Sequence, residues 1–146
     1  MLALVLTTGC AGISGKKKTP PAKTLSHGRF VYLANRACAR ANGRARSIKS
    51  PTSFETFVVA LRKAIPVFES EIVDFRALAS PPSDAASFRR LLATLDEEDL
   101  AANGLLDAVE ARQVRRGKTL ARRVDVLSKR FNKRATKLGL RICTRS

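Results

Sequence analysis

The side chains best suited to chemistry are few in this chain of 146 residues: three cysteines, one histidine and a short acidic run. Zinc sites need several Cys, His or carboxylate ligands in one array, and the sequence has neither Cys-x-x-Cys nor a second histidine. It also has no Gly-rich phosphate loop and no Gly-x-Ser-x-Gly elbow. We therefore expect no metal, no cofactor and no enzymatic activity.

The histidine and the acidic run do not form a catalytic arrangement. His27 stands beside Gly28 in a polar stretch, where we expect a solvated ring that nothing holds in place. The run 96–99 carries four consecutive carboxylates, but neighbouring helix positions point in different directions and cannot converge on one ion. The sequence therefore predicts a solvated acidic patch that faces basic neighbours.

The first ten residues predict an export signal. An apolar run, Met1–Leu6, is closed by small residues and followed by a polar stretch rich in Lys, Gly and Pro. The run is far shorter than the about 20 apolar residues of a membrane-spanning helix. Its end resembles the lipobox of bacterial lipoproteins, in which small residues precede a lipid-modified Cys. Gly9 and Cys10 fit that pattern, while Thr7 stands where the family usually has Leu.

The lipobox resemblance implies three parts for the chain. Residues 1–9 would be a removed signal segment, Cys10 the lipidation site, and residues 10–28 a flexible tether to a helical domain at 29–146. Two acyl chains would hold the protein stably at the membrane, whereas one chain alone binds marginally. The alternative is a buried N-terminal strand or a frayed apolar tail whose Cys is incidental.

Charge is extreme and unevenly distributed. The formal net charge is +16. Residues 1–50 hold ten Lys/Arg and no acid, residues 51–110 hold five against eleven acids, and residues 111–146 hold thirteen against one. The basic ends should therefore attract the acidic middle when they pack side by side.

Apolar periodicity predicts an all-α fold. The first helix should cover about residues 29–48, because Ser50 precedes a proline and is pushed away from helical geometry. A heptad seam from Phe54 to Ala79 predicts the second helix, with a kink at Pro66. A third seam, from Phe88 to Val109, is interrupted at Asp99, which occupies a position expected to face the interior of the bundle.

Caps and turns complete the predicted fold. Ser83 or Asp84 should cap the third helix, and a turn near Arg116-Gly117 should end it. The fourth seam runs over residues 120–138, and Gly139 should form a left-handed C-cap. Short joints between four helices favour an up-down-up-down bundle with a disordered N-terminal tether, in which the first and fourth helices are neighbours.

The two remaining cysteines, Cys38 and Cys143, form an even pair in a chain with an export signal, the setting in which disulfides persist. The fourth helix runs back toward the start of the first, and the chain after Gly139 can turn to lay Cys143 against that helix. The pair is therefore predicted to be a disulfide. The alternative is two buried free thiols in a cytosolic protein.

The stretches 30–38 (FVYLANRAC) and 135–143 (ATKLGLRIC) carry a second resemblance. Together they look like an uncharacterised group of small secreted helical proteins of high-GC actinobacteria, and the likeness covers most of the domain. It implies export, helices and the Cys pair, and it implies no activity.

The basic helices suggest the function. We expect a face that binds anions, built from Arg36, Arg40 and Arg44 on the first helix and Arg122, Arg123, Lys129, Arg130, Lys133, Arg134 and Lys137 on the fourth. One hypothesis is a lipid-anchored protein on the extracytoplasmic side of the cell membrane, with this face on anionic lipids or wall polymers. The alternatives are a cytoplasmic nucleic-acid-binding protein and a basic face that is merely solvated.

Overall fold

The computed structural model describes residues 25–144, and the regular structure in that range is entirely helical. It consists of α1 (His27–Ala45), α2 (Phe54–Arg76), α3 (Ala85–Glu110), α4 (Val114–Lys137) and a 3-10 turn, Arg141–Cys143. For these residues, the prediction of an all-α fold with four long helices is confirmed. The predicted signal segment and Cys10 lie outside the described residues.

Helix α1 begins earlier than predicted. Ser26 is its N-cap, and the Ser26 hydroxyl accepts a hydrogen bond of 3.3 Å from the backbone amide of Arg29. Leu25 packs against the hydrophobic core. The helix therefore includes residues 27 and 28, which were predicted to belong to the tether, and it ends at Ala45 rather than at residue 48.

Helix α2 starts with a capping box in which Ser53 and Thr56 exchange hydrogen bonds between side chain and backbone. It continues through Pro66 without interruption and ends at Arg76, three residues before the predicted end at 79. Only its second half belongs to the core. Phe75 is fully buried, whereas Phe54, the first residue of the predicted seam, is 47% exposed.

Helix α3 is continuous, but its buried face differs from the predicted seam. Leu91, Leu105 and Ala108 are buried where their neighbours Leu92, Leu106 and Val109 were expected. Where two apolar residues are adjacent in the sequence, either can face the core, and periodicity alone does not tell which one does. The charged position on the inner face is accordingly Glu98, at 4% exposure, and the assignment to Asp99 was wrong.

The connection between α3 and α4 is a tight turn at residues 111–113, so the prediction of a turn at Arg116-Gly117 was wrong. Arg112 takes the left-handed conformation, with φ of 54°, which glycine usually adopts in such turns. Gly117 instead lies buried in the first turn of α4. A Cβ there would meet a methyl group of Val109 at 3.6 Å.

The end of α4 follows the prediction. Gly139 has φ of +77°, and the amides of Gly139 and Leu140 donate to the carbonyls of Thr136 and Ala135. These are the two hydrogen bonds of a Schellman C-cap. The chain then turns back, and its 3-10 turn packs against both α1 and α4.

The core is built around four phenylalanines. Phe30 and Phe88 meet edge to face at 4.9 Å between ring centroids, and Phe75 lies 6.1 Å from Phe88 and 6.5 Å from Phe131. Backbone packing joins α1 to α2, α2 to α3 and α3 to α4, whereas α1 and α4 are linked through the 3-10 turn. The result is a helical bundle whose core comprises the middle of α1, the second half of α2, the first half of α3, the second half of α4 and the segment that follows α4.

Candidate anion-binding surface

The two cysteines of the described range come together as predicted. Cys38 of α1 and Cys143 of the 3-10 turn lie with their sulfur atoms 2.07 Å apart, and both are almost fully buried. Asn35 and Asn42 of α1 hold the same segment, because Asn35 accepts from the Ile142 amide and Asn42 donates to the Ile142 carbonyl, each at 3.0 Å. The tail is thus fastened to α1 by one covalent and two hydrogen bonds.

His27 contradicts the expectation of a ring held by nothing. Its Nδ1 lies 2.7 Å from a carboxylate oxygen of Asp84, the residue that precedes α3. The early start of α1 brings the ring to the beginning of α3, a contact that no local pattern encodes. Asp84 occupies the N-cap position of α3 but makes no capping hydrogen bond, so the predicted cap is absent at that residue.

The acidic run faces basic neighbours, as predicted, but it is not solvated throughout. Asp96 pairs with Arg76 at 2.6 Å, and Glu97 lies 3.7 Å from Arg130. Glu98 is buried at the inner face of α3. Desolvation, followed by the nearby carboxylates of Glu69 and Asp96, raises the pKa of the Asp99 carboxyl above its usual range.

The cations of α4 stand opposite its buried face. Leu127, Phe131 and Ala135 point into the core at spacings of four residues. Residues three and four apart share one side of a helix, so positions between these lie on the outer side. That side carries one acid, Asp125, and the cations Arg115, Lys118, Arg122, Arg123, Lys129, Arg130, Lys133 and Lys137. We call this set of eight cations the basic face.

Several of the predicted anion-binding residues are engaged by the fold. On α1, Arg40 pairs with Asp74 at 2.9 Å and Arg44 donates to the Ser70 hydroxyl at 3.0 Å. On α4, Lys129 pairs with Asp125 at 2.8 Å. The α1 contacts tie two of the predicted cations to α2 and remove them from an open surface.

Arg134 is the clearest departure from the predicted set. It is half-buried and donates to the Arg90 carbonyl and to the hydroxyl of Thr94, a residue of α3 with no exposed surface. Its guanidinium therefore joins α4 to α3. We assign Arg134 to the helix interface and not to the anion-binding surface.

Four predicted cations remain open to solvent. Arg122, Arg123, Lys133 and Lys137 are exposed, and within residues 25–144 no hydrogen-bond or ion-pair partner is found for them. Arg36 is also exposed and lies 5.7 Å from the centroid of the Tyr32 ring, which Arg29 contacts at 5.2 Å. The structure brings the four α4 cations onto one side of one helix.

Sequence reasoning missed the cations at the start of α4. Arg115, Arg116 and Lys118 were not included because the turn was placed at Arg116-Gly117. Arg116 donates to the Gln113 side chain at 3.2 Å, while Arg115 and Lys118 extend the basic face toward the turn. The run of basic residues on both sides of Gly117 was the available signal.

Sequence reasoning also missed two open grooves. The first, which we call the turn groove, lies beside the α3–α4 turn and has a volume of about 540 Å³. The second, of about 570 Å³, is lined by all four helices and includes Glu71 and Glu98, each 4% exposed. Both have the size of small-molecule sites.

Metal-ligand clusters and membrane-spanning helices do not occur among residues 25–144. No group of three or more His, Cys, Asp or Glu side chains is arranged to hold a metal ion in that range. None of the helices described is both long enough and apolar enough to cross a membrane.

No protein-family model, curated protein or solved structure matches the chain. The features of the molecule that bear on its function are therefore the charged surface, the grooves and the cysteine pair.

Proposed function

We propose that this chain is a non-enzymatic cell-envelope lipoprotein, anchored through Cys10 on the extracytoplasmic side of the membrane. Its basic face docks on anionic lipid headgroups or wall polymers. The observation that carries the proposal is the row of exposed cations on α4, four of which have no partner within residues 25–144. Charges that the fold does not use remain available to an external anion.

The proposed helix arrangement is the up-down-up-down bundle. Two ion pairs support it, because Arg62 of α2 meets Glu110 at the end of α3, and Arg76 meets Asp96, fourteen positions earlier. The later residue of α2 thus pairs with the earlier residue of α3, as expected for two helices that run antiparallel. Since the turn between α3 and α4 is short, the same relation follows for that pair. The outer side of α4 then faces away from the core.

The strength of such docking can be bounded. A basic side chain near an anionic membrane surface contributes about 1 kcal/mol, so four cations give about 4 kcal/mol. A free energy of that size corresponds to a dissociation constant of about 1 mM. These four cations alone therefore orient the domain weakly, and a lipid on Cys10 would make the contact persistent by holding it at the surface.

The Cys38–Cys143 pair supports the compartment. Disulfides persist in oxidising environments and are rare in the cytosol. A bond that ties the C-terminal tail to α1 suits an exported domain, in which it would limit local opening of the tail.

The second candidate is binding of nucleic acid. Exposed Tyr32 lies between Arg29 and Arg36, an arrangement that could stack on a base. The α4 face itself offers no exposed aromatic side chain in the described structure, because Phe131 is fully buried. We favour the membrane surface, since flat arrays of cations suit headgroups and polymers without base readout.

Vesicle sedimentation tests the docking directly. The full chain with Cys10→Ser, which removes lipidation, should bind vesicles rich in phosphatidylglycerol at low salt and release at high salt. Substituting Arg122, Arg123, Lys133 and Lys137 by Gln should weaken binding by up to about a thousandfold, because about 4 kcal/mol would be lost.

A matched variant controls for total charge. Arg46, Lys49, Lys63 and Arg89 are exposed cations outside α4, and their replacement by Gln removes the same four charges. The proposal expects this control to lose much less affinity. Equal losses would show that only net charge matters. Salt-sensitive binding to DNA that exceeds binding to the vesicles would favour the second candidate.

A further inference from the structure

The turn groove has a largely apolar lining. Its walls come from the first turn of α2, the last turns of α3 and the first two turns of α4. Phe57, Leu105 and Val109 line it, with Ala121 on the α4 side. A volume of about 540 Å³ lies within the range of sites that hold small apolar ligands.

The mouth of the groove exposes apolar side chains that the fold leaves uncovered. Phe54 is 47% exposed and Val114 is 68% exposed, although each begins a helix of the bundle. Apolar surface gathered around a concavity is a common mark of a binding site, in contrast to isolated exposed residues. The core lies away from this end, because the buried cluster takes in neither Phe54 nor Val114.

Charge at the rim indicates the kind of ligand. Arg112 and Lys118 both line the groove. Glu55 lines it too, and hydrogen bonds with its own backbone amide and with Ser53, together with the charge of Arg112, lower the pKa of its carboxyl and keep it negative. The groove lining therefore carries two positive charges and one negative charge. With a net charge of +16 on the chain, an anionic head is favoured over a neutral or cationic one.

We infer that the turn groove receives one acyl chain of an anionic membrane lipid, with the headgroup against Arg112 and Lys118. The inference rests on the proposed function and adds a specific lipid contact to it. Lys118 and Arg122 lie one helical turn apart, so the groove and the basic face adjoin on the same helix. A single approach to the membrane therefore brings both into contact with lipid.

Photo-crosslinking separates this contact from surface docking. The probe is a phosphatidylglycerol vesicle in which a fraction of the lipids carries a photoreactive diazirine on the acyl chain. After irradiation with the full chain carrying Cys10→Ser, mass spectrometry should locate the crosslinks on groove residues such as Phe57, Leu105 and Val109. Vesicles of phosphatidylcholine with the same labelled chain should give about tenfold less crosslinking.

Two variants test the site. Ala121→Phe fills the groove from an exposed position of α4, so it should abolish crosslinks in the groove, while the part of the vesicle binding that comes from the basic face remains. Val73→Phe, at a 63% exposed position of α2 outside both the groove and the basic face, is the matched control and should change neither the crosslinks nor the vesicle binding. Circular dichroism melts of both variants confirm that they fold.

The outcomes distinguish the two proposals. Vesicle binding with crosslinks spread over the basic face, or unaffected by Ala121→Phe, would overturn the groove site and leave surface docking intact. Equal labelling from phosphatidylcholine would overturn the role given to Arg112 and Lys118. A chain that fails to bind the vesicles at all would contradict both the groove site and the proposed function.

Discussion

Arg134 shows how a residue of a basic helix can serve the fold. Its guanidinium donates to the Arg90 carbonyl and to the buried hydroxyl of Thr94. Hydrogen bonds from a charged group contribute about 1.5–3 kcal/mol, so Arg134→Ala should lower the free energy of unfolding by about that much in urea titrations. Exposed Lys133→Ala should change it by less than about 0.5 kcal/mol. Equal effects of the two substitutions would contradict the assignment of Arg134 to the interface.

Asp99 gives a pH prediction at the same scale. Its folded-state pKa is raised, chiefly by desolvation and then by Glu69 and Asp96, so the folded chain holds this proton more tightly than the unfolded chain. Stability contributed by protonated Asp99 is therefore lost as the pH rises from the usual carboxyl range through the raised value. Asp99→Asn should remove that loss and raise the urea midpoint at neutral pH.

The control for Asp99 must account for the net positive charge, because removing any acid increases repulsion between cations. Asp107→Asn removes an exposed acid of the same helix and should lower the neutral-pH midpoint slightly. If Asp99→Asn lowers the midpoint as much as Asp107→Asn does, the destabilising environment assigned to Asp99 is wrong.

At the scale of single residues, the sequence could predict roles that depend on neighbouring positions, and it could predict a disulfide from an even number of remaining cysteines. Gly139 follows from its place after an apolar seam, and Cys38 with Cys143 from the count of cysteines. The His27–Asp84 contact could not be predicted, because it joins the starts of two helices separated by 57 positions. The burial of Glu98 was missed because the register of α3 is ambiguous wherever two leucines adjoin.

At the scale of elements, replacing glycine by alanine should have opposite effects on stability at the end and in the interior of a helix. Gly139 has φ of +77°, where a Cβ costs about 1–2 kcal/mol, so Gly139→Ala should destabilise the chain by roughly that amount. Gly43 lies inside α1, and a Cβ at this position would meet no other group within 4 Å. Gly43→Ala should therefore stabilise the chain by about 0.5–1 kcal/mol. Thermal melts of both variants would contradict this reasoning if the two substitutions changed the melting temperature in the same direction.

Helix existence was predictable here and helix boundaries were less so. The four apolar seams predicted four helices because a 3.6-residue period requires many consistent positions. The α3–α4 turn was misplaced because Arg112 adopts a left-handed conformation that is typical of glycine or asparagine. The turn groove was missed for the same reason, since it is built around that turn.

For the whole molecule, the Cys38–Cys143 bond closes a loop of 105 positions. In the chain-entropy account, a loop of about that length stabilises the folded state by up to about 4.7 kcal/mol. Replacing both cysteines by serine should therefore shift urea unfolding to much lower concentration. Reducing agent should lower the midpoint of the wild-type chain and leave that of the double variant unchanged. Alkylation of both thiols without prior reduction would contradict the bond.

The distribution of charge is also a property of the whole chain. The sequence predicted that basic ends would attract the acidic middle, and Arg40–Asp74 and Arg130–Glu97 are pairs of that kind. Each pair is partly exposed and contributes little alone. The surplus of cations on α4 could be counted from the sequence, whereas which of them remain open depended on tertiary contacts such as that of Arg134.

Membrane fractionation of the full chain in a lipoprotein-processing bacterial host tests the central claim most directly. The wild-type chain should stay with the membranes after a high-salt wash, because a lipid on Cys10 does not depend on charge. Cys10→Ala should associate at low salt through the basic face and be released by the same wash. Recovery of both proteins in the soluble fraction, whatever the salt, would contradict the proposal of a membrane-anchored lipoprotein.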